Sequence, residues 1–229
     1  DADVIFSIVG YPSDVKEVYE QVIPYAKKNS ILVDMTTSSP KLAVELYEKA
    51  KQRDLKMIDA PVTGGDLGAI NATLSIMVGG DEDAFLMIKP LLEKMGKTIT
   101  YMGKAGSGMH AKLANQIVIA GNIMGISESL MYAKSKGLDQ RKMLSVIVGG
   151  SASSWQAANN GPKMIDKDYQ PGFYLKHFLK DLKLAMEEKG LLNLEGLAHV
   201  TKIYERLFDL GFKDFGTQCI IEFYLQKLA

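Results

Sequence analysis

The chain has 229 residues, with 27 Lys+Arg against 27 Asp+Glu, so its formal net charge is zero. This balance excludes the strongly basic field on which many nucleic-acid-binding proteins depend. Hydrophobic residues make up 47% and charged residues 24%, a globular composition that excludes intrinsic disorder. The one cysteine, Cys219, excludes an intramolecular disulfide and suits a reducing compartment. No apolar run reaches the roughly 18 residues of a membrane span. Because the single cysteine suits a reducing compartment, we expect a cytoplasmic protein.

Strand and helix patterns alternate through the first hundred residues. Helix N-caps are predicted at Ser13, at Ser39 with Pro40 as the first helical residue, and at Asp81. This alternation is typical of βαβ units and a largely parallel sheet. Short apolar runs predict strands at Val4–Val9, Ile31–Val33, Leu55–Ile58, Leu74–Val78 and Thr98–Met102.

The pattern changes near Gly103. A long apolar helix without proline is predicted over Met109–Lys136, and no strand pattern recurs after it. We therefore predict an α/β domain over 1–104 and an all-helical domain over 105–229, hinged around Gly103–Gly108. Further helical patterns lie at Gln140–Val148, Ser153–Ile165, Leu175–Lys189, Gly196–Leu210 and Thr217–Lys227.

The segment Asp59-Ala-Pro-Val-Thr-Gly-Gly65 directly follows a predicted strand. Open α/β sheets bind ligands at the carboxyl ends of their strands. The glycine pair Gly64-Gly65 lets backbone N–H groups converge on an anion, and Thr63 adds a hydroxyl donor. A plain turn between strands has the same composition, so the residue types leave both interpretations open.

A second segment, Gly-Lys-Ala-Gly-Ser-Gly over 103–108, precedes Lys112 and Asn115. Three residues apart on a helix, Lys112 and Asn115 share a face. Desolvation favours the neutral form of a lysine, which suits acid–base chemistry. Alternatively, Lys112 extends to solvent and Asn115 lies on the surface. Lys180-Asp181 farther along the chain has, by itself, the pattern of an ordinary charged helix face.

Together these segments resemble the β-hydroxyacid dehydrogenase family, which includes 3-hydroxyisobutyrate dehydrogenase and 2-hydroxy-3-oxopropionate reductase. The order is Asp59–Gly65, Gly79-Gly80, Gly-x-x-Gly-x-Gly-x-x-x-Lys112-x-x-Asn115 and Lys180-Asp181-Leu182. The resemblance extends over the whole chain and implies a Rossmann-type doubly wound parallel sheet, partial in this sequence. It also implies an all-helical C-terminal domain and an active site between the two.

The resemblance assigns roles to particular residues. Lys112 matches the catalytic lysine, which donates a proton to the carbonyl oxygen in reduction, and Asn115 matches a residue that helps to hold the substrate. The implied cofactor is NAD or NADP, and the implied substrate is a small carboxylate. Thr63, Gly64 and Gly65 match the loop for the substrate carboxylate, and Val9, Gly10, Thr36 and Lys180 match cofactor-binding positions.

The sequence departs from the family pattern in three places. The strand–Gly-x-Gly-x-x-Gly–helix fingerprint for the pyrophosphate is absent. We expect it, and the residue that selects NAD or NADP, in about 60 residues ahead of Asp1. Without the strands that those residues would form, Val4–Val9 would be an exposed apolar edge of the sheet. Gly10 replaces the usual proline, and Thr63 replaces the usual serine but keeps the hydroxyl.

The predicted function is hydride transfer between NAD(P) and a small 3-hydroxy acid or its semialdehyde, of the 3-hydroxyisobutyrate or tartronate semialdehyde type. Two alternatives are a succinic semialdehyde or imine reductase of the same family and a non-catalytic truncated fragment. The apolar helix around Ile117–Met131 suits a subunit interface, so we expect a homodimer or homotetramer. His177 and His199 lack partners at ligand spacing, so we expect no metal site. We expect neither nucleic acid nor membrane as a partner.

Overall fold

The computed structural model describes residues 2–225. The chain divides into two compact units, whose boundary lies between Ala114 and Asn115. The sequence pattern predicts the boundary earlier, at 104/105, in the glycine-rich segment.

The first unit is a sheet with helices, and the two alternate in the predicted order except for a short strand at Val62–Thr63 and a short helix at Gly65–Ile70, which were not predicted. Its last helix, α5 (Ser107–Ser135), continues past the unit boundary. The other elements are β1 (Val4–Ser7), α1 (Pro12–Val22), β2 (Ile31–Asp34), α2 (Pro40–Lys51), β3 (Lys56–Asp59), β4 (Val62–Thr63), α3 (Gly65–Ile70), β5 (Leu74–Gly80), α4 (Glu82–Leu92) and β6 (Gly96–Gly103).

The sheet has the strand order β1-β2-β3-β5-β4, and β6 also pairs with β5. The strands β1, β2 and β3 run parallel to one another, and β5 and β6 run parallel to each other. This confirms the predicted α/β class with parallel pairing. The sequence pattern did not show that β5 runs antiparallel to β3 and to the two-residue strand β4.

Apolar side chains pack on both faces of the sheet because successive residues of a strand point to opposite sides. In β2, Ile31 and Val33 pack with Ile88 of α4, whereas Leu32 packs with Tyr19 of α1 on the other side. A strand buried on both faces needs a continuous apolar sequence. The run Ile31-Leu32-Val33 meets this requirement.

The starts of the first two helices differ from each other in how well the sequence predicts them. At α2, the Ser39 hydroxyl accepts the N–H of Leu42 at 3.4 Å and Pro40 is the first helical residue, as predicted. The N-cap predicted at Ser13 is wrong, because α1 begins at Pro12. Proline suits the first turn because its missing N–H would have no partner in the helix.

The strand β1 forms one edge of the sheet, since β2 is its neighbour and the strand order begins with it. Phe6 is 40% exposed and Ile8, just beyond the strand, is 67% exposed. The apolar edge expected from the sequence is therefore present.

Helices make up the second unit, and the described residues add one isolated bridge between Tyr174 and Gly216. Phe178 and Tyr204 pack edge to face in its core, with ring centroids 5.2 Å apart. Trp155, in contrast, is 54% exposed. The elements after α5 are α6 (Gln140–Gly149), α7 (Trp155–Asp166), α8 (Leu175–Glu188), α9 (Glu195–Asp209), 3-10 turns at Phe212–Asp214 and Thr217–Ile220, and α10 (Ile221–Leu225).

The first four helices predicted after α5 are confirmed. The last, Thr217–Lys227, begins as a 3-10 turn, and its predicted end at Lys227 lies outside the described residues. Between residues 2 and 225, no helix combines the length and apolar character needed to cross a membrane.

Candidate active site

The start of α5 is attached to the end of β3 by one carboxylate. Asp59 is 3% exposed, and its two oxygens accept the N–H groups of Gly106, at 2.8 Å, and Met109, at 2.9 Å. Burial raises the pKa of Asp59, and these backbone donors partly offset the rise. Unpaired N–H groups and the positive end of the helix dipole both favour an anion at this position.

The approach of α5 to the sheet is too close for a side chain at Gly108. A Cβ there would lie 2.5 Å from the carbonyl oxygen of Met77 and 2.6 Å from that of Asp59. Glycine is therefore required by packing at this position. The Gly-rich segment before Lys112 thus serves to bring the helix start onto the ends of β3 and β5.

Lys112 lies in the second turn of α5 and is only 5% exposed. The interpretation in which Lys112 extends to solvent is therefore wrong. Lysine is rarely buried to this extent without a pairing or functional reason. The turn of α5 that follows the one fixed by Asp59 therefore carries a buried amine.

Thr63 ends β4, and the glycine pair Gly64-Gly65 leads into α3. Gly64 has φ of 132° and Gly65 has φ of 65°, backbone conformations that favour glycine. Val62 and Thr63 pair with β5, which fixes the entrance of the loop to the sheet. The segment is thus a glycine-dependent turn attached to the sheet, which accommodates both interpretations left open by the sequence.

The loops after β1 and β2 meet at the carboxyl ends of these strands. The N–H of Val9 donates to the Thr36 hydroxyl at 2.9 Å. Asp34, 2% exposed, accepts the N–H of Thr36 at 3.0 Å, and burial raises the pKa of Asp34 to about 6. Gly10 follows Val9 in the same loop and is partly buried. Three of the predicted cofactor positions therefore lie together.

The Ser38 hydroxyl in the loop after β2 is buried and has no hydrogen-bond partner within the described part of the chain. Buried hydroxyls are normally satisfied, so such a group indicates a missing polar partner. It lies at the carboxyl end of a parallel strand, where this class of sheet binds nucleotides. The residues of these loops therefore fit a dinucleotide cofactor.

In the second unit, Asn115 and Lys180 are linked through two buried residues. The Asn115 amide donates to Gln116 Oε1 at 3.0 Å, and Gln116 Nε2 donates to Asp181 Oδ2 at 2.7 Å. Asp181 Oδ1 lies 3.2 Å from Lys180 Nζ. The sequence pattern gives no role to Gln116. It predicts an ordinary charged helix face at Lys180-Asp181, whereas Asp181 is fully buried.

The predicted site residues are thus divided between the two units. Lys112 and Asn115 share α5 but lie on either side of the unit boundary, and Lys180 belongs to a different unit from Val9, Gly10 and Thr36. No group of three or more His, Cys, Asp or Glu side chains within 2–225 is arranged to bind a metal ion.

Two family models match the chain over nearly its whole length. The model of the NAD binding domain of 6-phosphogluconate dehydrogenase matches residues 1–103. The model described as NAD-binding of NADP-dependent 3-hydroxyisobutyrate dehydrogenase matches residues 106–224. The chain belongs to the β-hydroxyacid dehydrogenase family. It is an NAD(P)-dependent 3-hydroxyacid dehydrogenase or reductase.

Individual relatives of this family agree with the assignment. An uncharacterized oxidoreductase of Bacillus subtilis is 45% identical over 99% of this chain and 80% of its own length. The 2-hydroxy-3-oxopropionate reductase of Escherichia coli is 38% identical over 89% of this chain and 71% of its own. The structure of a Mycobacterium tuberculosis 3-hydroxyisobutyrate dehydrogenase, solved with L-serine, is similar with a TM-score of 0.88 and 31% sequence identity. The match covers 97% of this chain and 79% of that one.

Proposed function

We propose that this β-hydroxyacid dehydrogenase interconverts a small 3-hydroxy acid and its semialdehyde, of the 3-hydroxyisobutyrate or tartronate semialdehyde type. The observation that carries the proposal is the buried Lys112, 5% exposed, on a helix whose first turn is fixed by Asp59. Relatives that bear the names of both enzymes support this substrate class.

Lys112 is the proton donor in the reducing direction and the acceptor in the oxidising direction. Reduction adds a hydride to the carbonyl carbon and a proton to the carbonyl oxygen, so the protein must supply the proton. NAD(P)H supplies the hydride. A lysine enclosed by protein is suited to the proton transfer because it is held in one place beside the position of the substrate.

Thr63, Gly64 and Gly65 hold the substrate carboxylate. A hydroxyl and the backbone N–H groups of a turn with positive φ can converge on an anion. Asn115 holds the remainder of the substrate through its amide. Fixing the carboxylate at one end orients the carbonyl at the other, which converts proton transfer into a step between positioned groups.

Val9, Gly10, Thr36 and Lys180 hold NAD or NADP. The hydrogen bond from Val9 to Thr36 joins the loops after β1 and β2, and the buried Ser38 hydroxyl adds a polar group beside them. Lys180 supplies a cation from the helical unit.

The remaining parts of the proposal are a domain boundary at 104/105, a homodimer or homotetramer, and a cytoplasmic location. The proposed location rests on the single cysteine, which suits a reducing compartment. We propose a small-molecule carboxylate as the partner, and neither nucleic acid nor membrane, because the net charge is zero.

A substrate panel tests the proposal. The full-length protein is assayed with NADH and NADPH against semialdehyde acids that have a 3-oxopropanoate backbone, their methyl esters, succinic semialdehyde and a cyclic imine. We expect the highest kcat/KM with the 3-oxopropanoate acids and a loss of about 10²-fold or more in the esters, because a charged partner of the loop is removed. Equal rates for acid and ester, or preference for the imine, would contradict the proposed substrate class.

A further inference from the structure

The second unit contains a polar network in its interior that links two helices. Gln116 of α5 is 1% exposed and Asp181 of α8 is fully buried. Their side chains are joined by the hydrogen bond from Gln116 Nε2 to Asp181 Oδ2, 2.7 Å long. Burying a carboxylate is costly unless it is paired. Packing alone would be satisfied by apolar residues, so the network needs another explanation.

Each end of the network carries a residue of the proposed site. Gln116 Oε1 accepts the amide of Asn115 at 3.0 Å. Asp181 Oδ1 lies 3.2 Å from Lys180 Nζ, and the side chain of Lys180 is 11% exposed. The order along the network is therefore Asn115, Gln116, Asp181, Lys180.

The chemistry of the network fixes its direction. An ionised carboxylate only accepts hydrogen bonds, so Gln116 must present its NH₂ group to Asp181. The carbonyl of Gln116 is then directed to the opposite side, where it requires a donor. Asn115 meets that requirement with its own NH₂ group, so Asp181 determines the orientation of both amides. The same carboxylate holds the Lys180 ammonium by charge.

We propose that Gln116 and Asp181 are positioning residues: Asp181 holds Lys180 for cofactor binding, and Gln116 orients Asn115 for substrate binding. The proposal rests on the proposed function for the roles of Asn115 and Lys180.

The first part of the proposal, the role of Asp181 (the Asp181 arm), is tested by cofactor titration with one double-mutant comparison, without measuring turnover. In the full-length protein, Asp181→Asn should raise the NAD(P)H dissociation constant about tenfold, since it removes one charge-assisted contact. In a Lys180→Ala background the same substitution should change it less than about twofold. An equal effect in both backgrounds, or no effect in either, overturns this arm.

The second part of the proposal, the role of Gln116 (the Gln116 arm), is tested separately. It can therefore be decided even if Asp181→Asn fails to fold. Gln116→Leu should raise the substrate KM about tenfold with a smaller change in kcat, because the Asn115 amide loses its acceptor. In an Asn115→Ala background Gln116→Leu should change KM less than about twofold. An unchanged KM in the single variant, or the same rise in both backgrounds, overturns this arm.

A matched control separates positioning from stability. Gln156 and Asn160 form another buried amide pair, on α7, with the Asn160 amide donating to Gln156 Oε1 at 2.6 Å. Gln156→Leu should lower Tm as Gln116→Leu does, while it leaves KM and the cofactor dissociation constant unchanged. Equal KM changes in the two variants would show that Gln116 acts only through stability. If wild-type protein binds NAD(P)H but reduces no carboxylate semialdehyde, the proposed function fails while the cofactor titration still decides the Asp181 arm.

Discussion

The carboxylate of Asp59 accepts the backbone N–H of Met109 at 2.9 Å, which fixes the first turn of α5 to the end of β3. The other carboxylate oxygen accepts the N–H of Gly106. Lys112 follows Met109 by one turn of the same helix. The position of the proposed proton donor therefore depends on a carboxylate that is distant in sequence.

Asp59→Asn should destabilise the protein by about 2–3 kcal/mol, because an amide replaces one of two buried acceptors with a donor. It should also lower kcat, since the turn preceding Lys112 loses an anchor. Urea unfolding at neutral pH measures the first effect and steady-state kinetics the second.

Asp139 provides the control for that substitution. It is an exposed N-cap that accepts the N–H groups of Arg141 and Lys142 at 2.8 and 2.9 Å. Asn caps helices about as well as Asp, so Asp139→Asn should cost less than about 1 kcal/mol. An equal loss in the two variants would mean that burial of the Asp59 carboxylate has no special importance.

Asp34 should make stability depend on pH. Burial raises the pKa of Asp34 to about 6 from an ordinary 3.8, although Thr36 and Ser7 donate to it. The folded chain therefore binds this proton more tightly than the unfolded chain. The protonated carboxyl of Asp34 therefore adds to the free energy of unfolding. This contribution is fully present below about pH 4 and is lost as the pH rises through about 6.

The comparison with Asp34→Asn isolates this effect from the other carboxylates. Wild type should lose about 2–3 kcal/mol relative to the variant between pH 4 and pH 7, with little further change above pH 7. Urea unfolding at half-unit pH steps measures the difference. A stability difference that stays constant across this range would contradict the raised pKa.

Cys219 should be chemically unreactive in the folded protein. The thiol is fully buried, and burial, with a smaller effect of the Glu222 charge, raises the pKa of Cys219 to about 12. Since the thiolate is the nucleophile, a disulfide reagent at pH 8 should react at least about 100-fold more slowly with native than with denatured protein. Rapid stoichiometric reaction of the native protein would show that the thiol is accessible.

Local patterns predicted those elements that local chemistry determines. The strand at Ile31–Val33 and the helix start at Ser39 need only their own residues and immediate neighbours. The strand β4 was missed because two residues are too few to show a period. The antiparallel direction of β5 was missed because alternation of strands and helices does not specify pairing.

The supporting contacts of the site could not be predicted because they join distant positions. Asp59 meets Gly106 and Met109, 47 and 50 residues later. Gln116 meets Asp181, 65 residues later. Only one signal was available for Gln116, a polar residue beside Asn115 in an apolar helix. The motifs therefore identified the candidate groups, while tertiary contacts determine how they are held.

The central claim is that Lys112 transfers the proton, and Lys112→Ala in the full-length protein tests it most directly. Exposed Lys104, in the segment preceding α5, supplies the matched control through Lys104→Ala. With a three-carbon semialdehyde acid as substrate, we predict that kcat falls about 10²–10⁴-fold in Lys112→Ala and little in Lys104→Ala, with NAD(P)H binding retained in both. Wild-type turnover in Lys112→Ala would contradict the account.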